Sequence, residues 1–122
     1  MKNKESNQSY ELARQAIEQV LSKKAKRPVL MDLRPLTSMT DYFIVCHGDS
    51  DLQVKAITNA VLDNLRAEGH KPWHVEGYSH LHWVLIDFVD VVVHVFDKEA
   101  REFYGIEGLW GDAECESFEE ED

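Results

Sequence analysis

His82-Trp83-Val84-Leu85-Ile86-Asp87-Phe88 and Val91-Val92-Val93-His94-Val95-Phe96 are two dense apolar runs with only Val89-Asp90 between them. β-Branched and aromatic residues at this density favour strands. A two-residue gap predicts a tight antiparallel hairpin. Period two puts Trp83, Leu85 and Asp87 on one face of the first strand. On the second, Asp90, Val92, His94 and Phe96 oppose Val91, Val93 and Val95. One face of each strand is therefore apolar, while the other mixes a large aromatic, an aliphatic, acids and a histidine. Two readings fit that mixed face. It is solvated until a partner covers it, with Trp83 as the anchor, or it is covered by a helix, with Trp83 in a minor core.

Outward from the hairpin, the pattern alternates between helix and strand. Ser9 is a fair N-cap, and Leu12, Ala13, Ala16, Ile17, Val20 and Leu21 follow at helical spacing. Lys23, Lys24, Lys26 and Arg27 suit the negative end of that helix, and Pro28 is expected to stop it. Val29–Leu33 and Tyr42–Cys46 read as strands. Asp49, Ser50 and Asp51 compete to cap a second helix, which carries Leu52, Val54, Ile57, Val61, Leu62 and Leu65 and ends at Gly69. Trp73–Glu76 is a further strand, Glu99–Tyr104 a short helix broken at Gly105, and Ile106–Trp110 one further turn. Trp110 is expected to staple the end of the fold to the core. The order is αββαβββα: a single α/β domain with a mixed sheet of about five strands flanked by helices. Residues 1–111 form the domain, and 112–122 are expected as an acidic, disordered tail.

The chain has 122 residues, 43% hydrophobic and 30% charged, enough for one soluble domain with a core of its own. That composition excludes a collagen-like, disulfide-scaffold or wholly disordered chain. The net charge of −10 is unevenly spread. Residues 1–27 carry seven bases and three acids, residues 28–111 six bases and thirteen acids, and residues 112–122 seven acids and no base. Free nucleic acid is not an expected partner, since phosphate binding needs clustered Lys and Arg. A basic protein suits the acidic body better, although acidity also serves solubility. Cys46 and Cys115 are isolated in sequence, so no disulfide is expected and the pattern fits a reducing compartment. No signal-peptide core or membrane-length apolar run is evident, and a cytoplasmic location is expected.

Three stretches could carry chemistry. His70, His74, His80 and His82 cluster within thirteen residues, with His80 and His82 expected on one strand face, but no HExxH or CxxC motif joins them. No metal or cofactor is expected. Asp49 and Asp51 follow a strand and could hold magnesium against phosphates, yet helix capping wants the same residues there and no glycine-rich phosphate loop accompanies them. Cys46 and His47 are adjacent on a strand, so their side chains point apart and make no dyad. No catalytic residue emerges.

Several stretches nonetheless carry a resemblance. Thr40-Asp41-Tyr42-Phe43-Ile44-Val45, Gln53-Val54-Lys55-Ala56-Ile57, Glu76-Gly77, Trp83-Val84-Leu85-Ile86-Asp87, Asp90-Val91-Val92-Val93-His94-Val95-Phe96, Arg101-Glu102-Phe103-Tyr104 and Leu109-Trp110 resemble the ribosomal silencing factor family, RsfS or Iojap. The similarity runs from about Tyr10 to Ala113. It implies a fold similar to a nucleotidyltransferase core without its activity. It also implies a non-enzymatic factor that binds protein fourteen of the large ribosomal subunit, blocks joining of the small subunit and silences translation when nutrients are scarce. A homodimer is implied too. Carried onto this chain, the partner surface falls on Trp83, Leu85 and Asp87, with Asp90, His94, Glu99, Arg101 and Tyr104 as further members. One departure is visible: the family commonly has glycine where this chain has Val89. The alternative is a magnesium-dependent nucleotidyltransferase using Asp49 and Asp51. A dimeric adaptor for another protein is a third reading.

Overall fold

The computed structural model describes residues 2–118. The elements are α1 (Lys2–Ser22), β1 (Lys26–Asp32), β2 (Tyr42–Gly48), α2 (Asp51–Ala67), β3 (His74–Glu76), β4 (Trp83–Asp87), β5 (Val91–Asp97), α3 (Lys98–Tyr104), α4 (Ile106–Leu109) and β6 (Glu114–Ser117). The six strands form one mixed sheet in the order β3-β4-β5-β2-β1-β6. Only β2 and β5 run parallel, with Tyr42 opposite Val91 and Gly48 opposite Asp97. The hairpin is present, and Trp83 faces Phe96 and Leu85 faces His94 across it.

The sheet separates two cores. On one face Ile17 and Val20 of α1 and Val54, Ile57, Val61 and Leu65 of α2 pack against Ile44, Val84, Ile86, Val93 and Val95. On the other, Met31, Leu33, Val45 and Phe96 pack under Ala100 of α3 and Ile106 of α4, with Trp83, Phe43 and Trp110 at the margin. The helices on this second face are only seven and four residues long, so they cover part of it. The mixed face is therefore a minor core at one end and open at the other.

Four local expectations are corrected. Ser9 does not cap α1 but lies inside it, and its hydroxyl donates to Asp41 Oδ2 at 2.7 Å. No Gly or Pro interrupts the preceding residues, so the helix runs through this cap signal. Pro28 does not stop α1. The helix ends at Ser22 in a Schellman turn, with Lys24 at φ 60°, Lys24 N–H on the Leu21 carbonyl and Ala25 N–H on that of Val20. Pro28 instead falls in β1, where the register against β2 shifts between Lys26 and Val29, the kind of irregularity at which a strand tolerates proline. His80 and His82 lie outside β4, in the turn and the bend before it.

The fourth correction concerns the tail. Glu114–Ser117 is a strand, antiparallel to β1, with Asp32 opposite Glu114 and Val29 opposite Ser117. All four residues are exposed. An edge strand held by backbone bonds carries no apolar alternation, so periodicity does not reveal it. Arg14 of α1 secures it, 3.3 Å from Glu116 and stacked on the Phe118 ring. Residues 119–122 of the expected tail lie outside the described residues.

Other readings agree with the structure. Ser50 caps α2 by accepting from Gln53 N–H, and Gly69, at φ 93°, follows its C-terminus. The Gln53 side chain donates to the Lys23 and Lys24 carbonyls, tying α2 to the end of α1. Gly77 is required: at φ 83°, a Cβ there would lie 2.0 Å from the Trp83 carbonyl oxygen.

Candidate partner-binding face

The site is the part of the sheet that α3 and α4 leave open. Trp83, Leu85 and Asp87 project from β4 and His94 from β5, as period two requires. The Trp83 ring packs 5.0 Å from Phe96 and 4.7 Å from Tyr104, centroid to centroid. Its indole N–H donates to His94 Nδ1 at 3.1 Å. Trp83 and Leu85 are half-buried, and Tyr104 is 49% exposed. An aromatic cluster is thus held in a fixed pose with part of its surface in solvent.

His94 is buried among rings, 4.4 Å from Phe43. Desolvation holds its pKa down at about 3, so the imidazole is neutral. Since Nδ1 accepts from Trp83, the proton sits on Nε2. Beside it a pit of about 250 Å³ opens between Leu85, Val92, Phe43, Met39 and Trp110.

Asp87 is half-buried, and its carboxylate accepts from the Val89 N–H at 2.7 Å. Asp90 occupies the exposed turn, and its carbonyl accepts from the Asp41 and Tyr42 N–H groups. Glu99 is exposed in the first turn of α3. Asp87 shares the β4 face with Trp83 and Leu85, whereas Asp90 lies at the turn, the far end of the hairpin from Trp83.

Arg101 stands apart from the rest of the expected surface. It is only 7% exposed, and its guanidinium is fully engaged inside the protein. Nε and Nη2 form a bidentate pair with Glu107 at 3.0 and 2.9 Å, and Nη1 reaches the Lys26 carbonyl and His47 Nδ1. Arg101 lowers the Glu107 pKa below the usual carboxylate range. It pins α3 to α4, β1 and β2, and so positions Tyr104 against Trp83.

Sequence reasoning missed the rim. Met39, Phe103 and Leu109 are 84%, 81% and 76% exposed, and Val89 54%. They sit on loops and short helices, where periodicity carries no signal. Three of the other chemistry-bearing residues have local partners. Asp49 lies 3.7 Å from Lys26 Nζ, His74 pairs with Glu76, and His82 pairs with Asp97. Among the described residues no three His, Cys, Asp or Glu side chains gather as a metal site. Cys46 is buried, with its thiol pushed up to about 12, and Cys115 is exposed on β6. No described helix is long and apolar enough to cross a membrane.

Residues 6–122 match the model of the family described as ribosomal silencing factor during starvation. The chain is 43% identical over 108 residues to the ribosomal silencing factor RsfS of Halalkalibacterium halodurans, covering 88% of this chain and 91% of that one. A crystal structure of a protein from Chromobacterium violaceum superposes with a TM-score of 0.82 at 41% identity, covering 84% of this chain and 85% of the other. A more distant relative, 27% identical over 84 residues and 37% covered, is the mouse mitochondrial assembly of ribosomal large subunit protein 1. The chain belongs to the ribosomal silencing factor family.

Proposed function

We propose that this chain docks the Trp83 face onto the large ribosomal subunit, at protein fourteen, and sterically blocks joining of the small subunit, repressing translation when nutrients are scarce. The observation that carries the reading is a half-buried Trp83, held by His94, Phe96 and Tyr104, on a β4 face that also carries Leu85 and Asp87. Interface hot spots have this form: a rigid aromatic anchor in a packed setting with a polar rim. Acids at the rim complement a basic ribosomal protein and speed its encounter. No bond is made or broken in this mechanism. The factor acts in the cytoplasm, without cofactor, and self-associates as a homodimer; if the dimer uses the same face, dimerisation competes with docking.

Co-sedimentation with isolated large and small subunits, alongside subunit joining followed by light scattering, tests this. Binding to the large subunit alone with joining suppressed is expected. Trp83→Ala should weaken that binding by about 2 kcal/mol, near thirtyfold. Wild-type affinity in a folded Trp83→Ala protein would show that the face is wrong.

A further inference from the structure

The pit beside Leu85 has a polar wall that docking by surface contact alone does not use. His94 is 3% exposed, and its Nε2 has no hydrogen-bond partner among the described residues. That atom is a donor, because Nδ1 already accepts from Trp83. Thr40, 6% exposed, lines the same pit, and its hydroxyl is likewise unpartnered. The remaining walls are largely apolar, from Phe43, Val92 and Trp110, with Asp87 the one carboxylate among the lining residues. Buried donors without acceptors are rare in native proteins and are retained where something else completes them.

We propose that the pit receives an apolar side chain of the docked ribosomal protein, and that an oxygen acceptor beside that side chain takes the hydrogen bond from His94 Nε2–H, with the Thr40 hydroxyl as second contact. This rests on the reading of the Trp83 face as the ribosome-docking surface, with which the pit is continuous through Leu85 and His94. The volume of about 250 Å³ accommodates one large aliphatic or aromatic side chain. Specificity follows from the wall. A partner presenting only apolar atoms would leave the His94 donor unpaired. Trp83 and the pit thus divide the work: the indole supplies contact area, and the pit reads a combination of shape and acceptor.

The test measures affinity for isolated large ribosomal subunits, together with thermal melting, for Thr40→Val, His94→Phe and Trp83→Ala. Thr40→Val is near-isosteric and discards an unpaired hydroxyl, so it should melt no lower than wild type yet bind about threefold more weakly. His94→Phe keeps the ring packing but removes the donor, and should bind about tenfold more weakly. It also removes the acceptor of Trp83, which Thr40→Val leaves in place, so the two variants together separate a role in the pit from a role in holding the indole. If both pit variants bind like wild type while Trp83→Ala is weakened, only solvent fills the pit and the proposal is overturned while the docking face stands. If Trp83→Ala also binds normally, the docking reading itself fails. Sedimentation equilibrium covers the remaining occupant: pit variants that dissociate a homodimer but keep subunit affinity would assign the pit to a second copy and overturn the proposal.

Discussion

Val89 shows what one side chain costs and what compensates it. It has φ 78°, a region that a β-branched residue almost never adopts. The Asp90 N–H reaches back to the Phe88 carbonyl at 3.0 Å, so Val89 is the centre of a three-residue γ-turn, a strained form. Asp87 offsets part of the strain by accepting the Val89 N–H. Its carboxylate therefore shapes the hairpin as well as the proposed docking face. Val89→Gly should stabilise the fold by about 1 kcal/mol, because glycine adopts this φ freely and little buried apolar surface is lost. Urea unfolding checks it: a higher midpoint with unchanged slope is expected, and an unchanged or lower midpoint would mean that Val89 is not strained. The sequence announced the missing glycine. It did not announce that Asp87 would turn toward the gap, because that bond depends on how the hairpin closes.

At the scale of elements, α3 is the piece that completes the site, and it is too short to be helical alone. Asp97 caps its start through the Ala100 N–H, and Gly105 ends it at φ 54°. Both signals are local; the Gly105 break was legible in the sequence, and the Asp97 cap was not singled out there. Arg101 was also singled out in the sequence, as a surface residue, and the structure turns it inward onto Glu107 and His47. Sequence shows that an Arg is present but not which way it faces, since a seven-residue helix has too few apolar positions to define its buried side. Arg101→Leu should cost about 2 kcal/mol, below the usual range for breaking a buried pair, because Glu107 can regain water. It should also weaken subunit binding, since Tyr104 loses its support. Chemical denaturation and co-sedimentation together check this; a stable variant with intact binding would mean that α3 is held by packing alone. The edge strand β6 is the opposite case, an element invisible in the pattern because backbone pairing with β1 and the Arg14–Glu116 contact hold it.

For the whole molecule, three histidines set how stability responds to mild acid. Burial depresses the pKa of His94 to about 3, and burial with the neighbouring Arg101 lowers that of His47. The unfolded chain takes up these protons near pH 6.5 and the folded chain only at lower pH, far lower for His94, so their contribution is full above pH 6.5 and is lost as pH falls below it. His82 has the opposite sign: Asp97 raises its pKa, so its contribution is present at low pH and fades as pH rises through the folded value. It is exposed and screened, so the buried pair dominates. The unfolding free energy from urea titrations should fall between pH 7 and pH 5, at up to about 1.4 kcal/mol per pH unit from His94, with His47 acting in the same direction. In His94→Phe the fall should be shallower. A free energy that is flat or rising toward pH 5 would contradict the neutral, buried His94. The sequence by itself determined the α/β class, the hairpin, the helical stripes and the family, because hydrophobic periodicity, caps and turn residues act over a few neighbours. Tertiary structure alone decided the sixth strand, the inward turn of Arg101, the unpaired His94 donor and the pit beside it. These depend on which surfaces meet once α3, α4 and the β1–β2 loop close over the sheet, and no local pattern encodes a contact between segments so far apart in the chain.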